Sequence, residues 1–270
     1  MAASRMADIS AELAGWSRRE YRAGAAPIPE GSVGLDALAR DPALLGAWFR
    51  DLLDGRAHRR RDFARAALAS QLSGWMAEAV ALPLVASGRL LVLDPAAIRL
   101  RWNRDGWIDA AHLGGAETVA TERVDAAADA VVRALDPIFV AARAVSGYGR
   151  AASWRTAVDA LLIQATNWAR QTGADGAAAL AAVEPLVAAV IEAAEIGFEP
   201  RVDWVDCDGT TVPVPIKSVC CLVYHVRDRP ASAIGGYCQV CPLLSEEERA
   251  LPLLEGLRDE RRLAGQVRAR

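Results

Sequence analysis

Cysteine is distributed unevenly along this chain of 270 residues. Four of its five cysteines fall in one stretch near the C-terminus: Cys220 and Cys221 stand side by side, sixteen residues follow, and Cys238-x-x-Cys241 closes the set. Thiolates in that number are the ligands of iron–sulfur clusters and of structural zinc. A C-x-x-C turn lets two sulfurs approach one metal centre, with nearby backbone amides able to hydrogen-bond to sulfur. Adjacent cysteines in an extended strand point to opposite faces, so Cys220-Cys221 requires a bent backbone or a centre of several metal atoms. A [2Fe–2S] cluster offers two irons with separate ligand positions and accommodates such a pair more easily than one tetrahedral zinc. Common zinc modules use cysteines separated by a few residues. The spacing therefore favours iron–sulfur, with zinc and a metal-free segment left open. Cys207, the remaining cysteine, is expected to be a small packing or surface residue.

The elements that must position these thiols are mostly helical. Leu68, Leu72, Trp75, Met76, Ala79 and Val80 recur at the spacing of one buried helix face. Val124, Ala128, Val131, Val132 and Leu135 repeat it, as do Trp154, Val158, Leu161, Leu162, Ala165 and Trp168, with Ser153 as a candidate N-cap. A further helix is expected after Asp175 through Leu180, Val183, Val187 and Ile191, kinked or divided at Pro185. Between the helical blocks, Leu90–Leu93 and the alternating Ile98, Leu100 and Trp102 read as strands, with a turn at Asn103-Arg104-Asp105-Gly106 before Trp107-Ile108. The expected fold is mainly α with a small β hairpin or meander near 90–112, an α+β chain, followed by a compact C-terminal cluster lobe. The division falls at a helical body over 1–199 and a cysteine-bearing segment with a terminal helix over 200–270, where Pro and Gly become frequent. Ser245-Glu246-Glu247-Glu248 has the composition of a helix N-terminus.

The residues around the thiols sharpen the expectation. Ser218-Val219-Cys220-Cys221-Leu222-Val223-Tyr224 and Gly235-Gly236-Tyr237-Cys238-Gln239-Val240-Cys241-Pro242-Leu243 resemble the C-terminal cluster segment of the FhuF-type siderophore-iron reductases. That resemblance implies that Cys220, Cys221, Cys238 and Cys241 hold a [2Fe–2S] cluster. It also implies one-electron reduction of a ferric siderophore with release of Fe(II), using an external donor such as a ferredoxin or a reduced flavin. The specific likeness covers 217–243. A looser one covers about 56–200, including the arginine-rich start of the long helix at Arg59–Arg65 and a proline that ends it. Two departures stand out. The loop between the cysteine pairs is longer here, with Arg227–Ile234 as extra length, and Lys217-Ser218-Val219 stands where the family tends to have basic residues.

Arg227 and Arg229, in that longer loop, are the candidate contacts for an anionic chelate. His225 is a candidate hydrogen-bond donor or proton carrier beside the ligands. Tyr237 and Trp204 are candidates to screen the site from water, and the run His58-Arg59-Arg60-Arg61 could form a basic rim. His58 and His112 have no Ser or Cys partner that suggests a triad. Two alternatives to the reductase remain: a non-enzymatic siderophore-handling protein with structural zinc, and an iron–sulfur electron-transfer or sensor protein.

Bulk properties exclude little but agree. The net charge of −3 gives no drive towards nucleic acid, and neither a nucleic-acid signature nor a G-x-G-x-x-G dinucleotide fingerprint is present. The N-terminus lacks the long apolar stretch of a secretory signal. No apolar run is read as reaching the roughly 18 residues of a membrane helix, so a cytoplasmic protein without a transmembrane segment is expected, with peripheral membrane contact left open. In a reducing compartment, cysteines point to metal or redox chemistry over disulfides.

Overall fold

A computed structural model describes residues 9–11, 13–55, 61–221, 233–234 and 237–268. In chain order, residues 9–11 and 13–16 are helical. There follow β1 (Glu20–Ala23), β2 (Val33–Gly34), α1 (Leu35–Arg40), α2 (Pro42–Asp54) and α3 (Arg61–Ser87). Next come β3 (Leu90–Val92), β4 (Ile98–Trp102), β5 (Ile108–Leu113), β6 (Glu117–Val119), α4 (Val124–Ser146), α5 (Arg150–Thr172) and α6 (Gly176–Ala193). The C-terminal part holds β7 (Arg201–Cys207), β8 (Thr210–Ile216), β9 (Ala233–Ile234), β10 (Tyr237–Cys238) and α7 (Glu246–Arg268). The fold is a mixed α+β one in which helices dominate and the strands form small sheets.

Helix α3 is the axis of the main core. From Ala64 to Leu84 it buries residues on nearly every face, Trp75 and Met76 among them, and α5 packs closely along it. Such all-round burial is why its apolar pattern runs almost unbroken instead of forming one stripe. Pro83 does not end it, contrary to expectation. The helix continues to Ser87, whose Oγ donates to Pro83 O at 2.9 Å, and stops at Gly88, where φ is +66°. Pro185 likewise neither divides α6 nor ends it; that helix begins at its predicted cap, with Asp175 Oδ1 accepting from Ala177 N at 2.8 Å. Ser153 is not a cap. Helix α5 starts earlier, at Arg150, and Ser153 Oγ donates back to Gly149 O at 3.2 Å from within the first turn.

The predicted β region forms, but in two sheets. Strands β4 and β5 make the expected hairpin across the Asn103–Gly106 turn, and β1 (parallel to β5) and β2 complete a sheet of order β1-β5-β4-β2. Strand β3 leaves the hairpin and pairs antiparallel with β6. The N-terminal β1 and β2 were not legible because each is too short to show a period.

Beyond α6 a second, smaller core forms from Cys207, Val212, Val214 and Ile216 of the β7–β8 ribbon against Leu253 and Leu257 of α7. Pro213 and Pro215 lie within β8, which is tolerable because a two-stranded ribbon leaves one edge unpaired. Gly176 lets this ribbon approach α6: a Cβ there would meet Pro213 Cδ at 2.9 Å. Helix α6 is, by length and composition, apolar enough to cross a membrane, a feature the sequence reading did not register. Its Leu180, Val183, Leu186 and Val190 are buried in the main core.

Candidate metal centre and adjoining cavity

The two cysteine segments are brought together by groups on both cores. Where β8 ends, the chain crosses α5, and Asp159 on that helix is 4% exposed. Its Oδ2 accepts from Ser218 N and its Oδ1 from Ser218 Oγ, both at 2.7 Å. These bonds fasten the chain to the main core two residues before Cys220. On the other side, Lys217 N donates to Val240 O at 3.1 Å, joining this segment to the C-x-x-C turn. That turn is closed by Cys241 N donating to Cys238 O at 3.0 Å.

The second fastening is Arg249 of α7, which is 1% exposed. Its guanidinium donates to Cys241 O at 3.4 Å, to Leu244 O, and to Asp203 Oδ2 on β7 at 3.1 Å. Ser245 and Glu248 form a capping box that starts α7: Ser245 N donates to Glu248 Oε2 at 2.7 Å and Glu248 N to Ser245 Oγ at 3.2 Å. Thus the turn is held from the carbonyl side by a buried cation, and the cysteine pair from the amide side by a buried anion.

Across this junction Cys221 Sγ and Cys238 Sγ stand 3.7 Å apart. Two sulfurs sharing one tetrahedral ion at about 2.3 Å each would be about 3.8 Å apart, so this pair already has the separation of shared ligands. The hydrogen bond from Cys221, followed by burial, raises the Cys238 thiol pKa. Burial alone would lower the Lys217 pKa, yet the charges of Cys221, Cys238 and Asp159 more than offset it and the pKa is raised. Burial pushes Asp159 up to about 6 even though its Ser218 hydrogen bonds work in the opposite direction. Burial also raises Tyr148, with the nearby Cys221 and Cys220 adding to the effect.

The four thiols do not form a finished cage. Among the described residues, no group of three or more His, Cys, Asp or Glu side chains is arranged to hold one metal ion. The Cys221–Cys238 separation is that of two thiolates on one metal atom, and thiols are fitting donors for such an atom.

Next to the pair, a cavity of about 280 Å³ opens between α3 and α5 and is lined in part by Cys220, Cys221, Lys217 and Tyr148. Its far wall is structural. Arg19 is paired with Glu78, and Tyr21 donates to Glu78 Oε2 at 3.0 Å and to Trp75 O at 2.8 Å. Gln71 Oε1 accepts from Ile108 N at 3.2 Å, tying α3 to the sheet.

His225, Arg227 and Arg229 lie outside the described residues, as do His58, Arg59, Arg60 and the side chain of Tyr237. Trp204 is 54% exposed on β7 and lines a groove with Ala250 and Leu254 of α7. Cys207 is fully buried in the small core, as a packing residue. His112 is buried on β5 with Nε2 3.0 Å from Ala26 O, a structural contact. Sequence reading missed Asp159, Arg249 and Tyr148. Asp159 did leave a signal, a carboxylate beside Val158 and Leu162 on a buried helix face. Arg249 left none, since it follows three glutamates in a strongly charged stretch.

No protein-family model matches the chain, and no curated protein matches it.

Proposed function

We propose that Cys220, Cys221, Cys238 and Cys241 hold a [2Fe–2S] cluster and that the protein is a cytoplasmic ferric-siderophore reductase. The observation that carries this reading is the 3.7 Å approach of Cys221 and Cys238 Sγ across two segments separated in sequence. When bound, such a cluster supplies one-electron chemistry at a potential set by hydrogen bonds, charge and exposure. One electron from an external ferredoxin or reduced flavin converts the chelated Fe(III) to Fe(II), and the chelator is left intact. Fe(II) binds anionic oxygen ligands more weakly, so the ion is released.

The chain's own residues prepare the site. Asp159 and Arg249 fix the two thiol-bearing segments, so less conformational freedom is lost when they close on metal. The Lys217 ammonium, close to Cys221 and Cys238, offsets thiolate charge that would otherwise repel an anionic chelate. Cys220 and Cys221 border a cavity rather than the packed core, which supports electron exchange with a bound molecule.

Metal and sulfide analysis with visible and EPR spectra of anaerobically purified protein tests the reading. Two irons and two sulfides per chain, with a signal that appears on reduction, are expected. Zinc without visible bands would refute it and leave a siderophore-handling protein with a structural site. A cluster that titrates but is not reoxidised by ferric chelates would leave an electron-transfer or sensor protein.

A further inference from the structure

The two long edges of the β7–β8 ribbon differ. Asp208 and Gly209, with φ of +54° and +78°, make the two-residue turn between the strands. In such a hairpin the flanking pair, here Cys207 and Thr210, exchanges both hydrogen bonds. Alternation from that pair makes Val205–Val212 and Asp203–Val214 bonded, and leaves Asp206–Thr211, Trp204–Pro213 and Val202–Pro215 open. Both prolines thus stand where β8 gives no N–H to β7. The same alternation turns the backbone N–H and C=O of Val202, Trp204 and Asp206 outward, away from β8. The outer edge of β8 lacks donors at its prolines. On β7 the outward row is complete, and among the described residues no backbone bond from outside the ribbon engages it.

A groove of about 620 Å³ runs between this strand and α7, with Trp204, Leu251 and Leu254 in its lining. Asp203, Val205 and Cys207 face α7, where Asp203 bonds Arg249 and Cys207 packs with Leu253. Trp204 and Asp206 therefore lie on the opposite face of the strand. Leu251 is 63% exposed on α7. Single exposed apolar residues are ordinary, but Trp204 and Leu251 border one groove beside a strand edge with its hydrogen bonds unmade.

The rim is acidic. Asp206 neighbours Trp204, Glu246 starts α7, and Glu247 and Glu255 stand one turn to either side of Leu251. The cations on this side, Arg201, Arg249 and Arg258, are each already paired with a carboxylate. A second copy pairing through its own β7 would set these acids against themselves, whereas a basic partner complements them.

We propose that β7 receives an extended segment of another protein as an added strand, in which apolar residues alternate with Lys or Arg. The outward groups of Val202, Trp204 and Asp206 supply the main-chain bonds, and the groove supplies side-chain selection. Apolar side chains lie over Leu251 and Leu254. On the other face the basic ones meet Asp206 and the Trp204 ring. Arg249 lines this groove and also donates to Cys241 O, so the occupant sits one side chain from the C-x-x-C turn. The proposal stands apart from the reductase reading, because it needs no metal.

The probe is a short end-blocked peptide alternating valine and lysine, titrated into the full-length protein by calorimetry; a peptide of the same composition with its valines contiguous is the control. Trp204→Pro removes one outward N–H without breaking a bond to β8, Trp204→Ala removes the side chain alone, and Leu251→Lys puts a cation in the apolar wall. Circular dichroism checks that each variant is folded. Support is one-to-one binding of the alternating peptide, about tenfold weaker in Trp204→Pro than in Trp204→Ala and in Leu251→Lys than in wild type. Amide hydrogen exchange should slow at Val202, Trp204 and Asp206 when the peptide binds. Absence of binding, equal affinity for the control peptide, wild-type affinity in Leu251→Lys, or protection confined to other segments overturns the proposal. Sedimentation of the free protein as a dimer that Trp204→Pro separates also overturns it, and assigns the edge to a second copy.

Discussion

Replacing Asp159 by Asn separates the charge of this buried group from its shape. Asp159 has its pKa raised from 3.8 to about 6, chiefly by burial. A carboxyl whose folded-state pKa lies above its unfolded value favours folding while protonated, and that contribution is lost as pH rises through the folded value. The full difference of about 2 pH units corresponds to about 3 kcal/mol. Integrated over pH with these two pKa values, the cost of ionising Asp159 is about 1 kcal/mol at pH 4.5 and about 3 kcal/mol at pH 7.5. Asn is close in shape to the protonated acid and retains one acceptor for Ser218. Relative to wild type, Asp159→Asn should therefore gain about 2 kcal/mol of stability between these two pH values. Urea unfolding of metal-free, reduced protein at both pH values measures this directly, and the difference between variants cancels other titrating groups. A pH-independent difference would refute the reasoning, as would an Asp form that gains on Asn with rising pH; the Ser218 hydrogen bonds would then outweigh burial.

Arg249→Met should destabilise the protein by about 3 kcal/mol, because the Cys241 and Leu244 carbonyls lose a charged donor and Asp203 loses one of its two cationic partners among the described residues, Arg201 being the other. Thermal unfolding checks the magnitude, and faster reaction of Cys238 and Cys241 with a thiol reagent checks that the turn itself is loosened. Cys238→Ser should lose the cluster's visible spectrum. Cys207→Ser should retain that spectrum while losing about 1–3 kcal/mol, since it places a hydroxyl in a fully buried apolar site. Loss of the spectrum in Cys207→Ser instead would exclude the assigned ligand set.

The parts of this protein that were legible in the sequence are those encoded by local periodicity and local chemistry. The 3.6-residue spacing through Leu68–Val80, Val124–Leu135 and Trp154–Trp168 marked three long helices, and Asn103–Gly106 marked the β4–β5 turn. The cysteine spacing identified four candidate ligands because thiols are few and chemically distinctive. Pro83 does not end α3 and Pro185 does not divide α6, since a helix held by packing on several sides tolerates one missing hydrogen bond. The β7–β8 ribbon was obscured for the related reason that prolines at an unpaired edge disrupt no ladder.

Tertiary structure alone decided which groups serve the site. Asp159 reaches Ser218 across 59 positions, and Arg249 joins β7 to the C-x-x-C turn over 46 positions back to Asp203. The place of Asp159 on a buried helix face hints at a role but does not name Ser218 as its partner, and Arg249 leaves no trace at all. The cavity, too, exists only where α3 and α5, far apart in sequence, meet the segment that carries Lys217, Cys220 and Cys221. Sequence by itself could name the thiols and the helices; which buried charges hold them, and what opens beside them, depends on burial and proximity that only the folded chain creates.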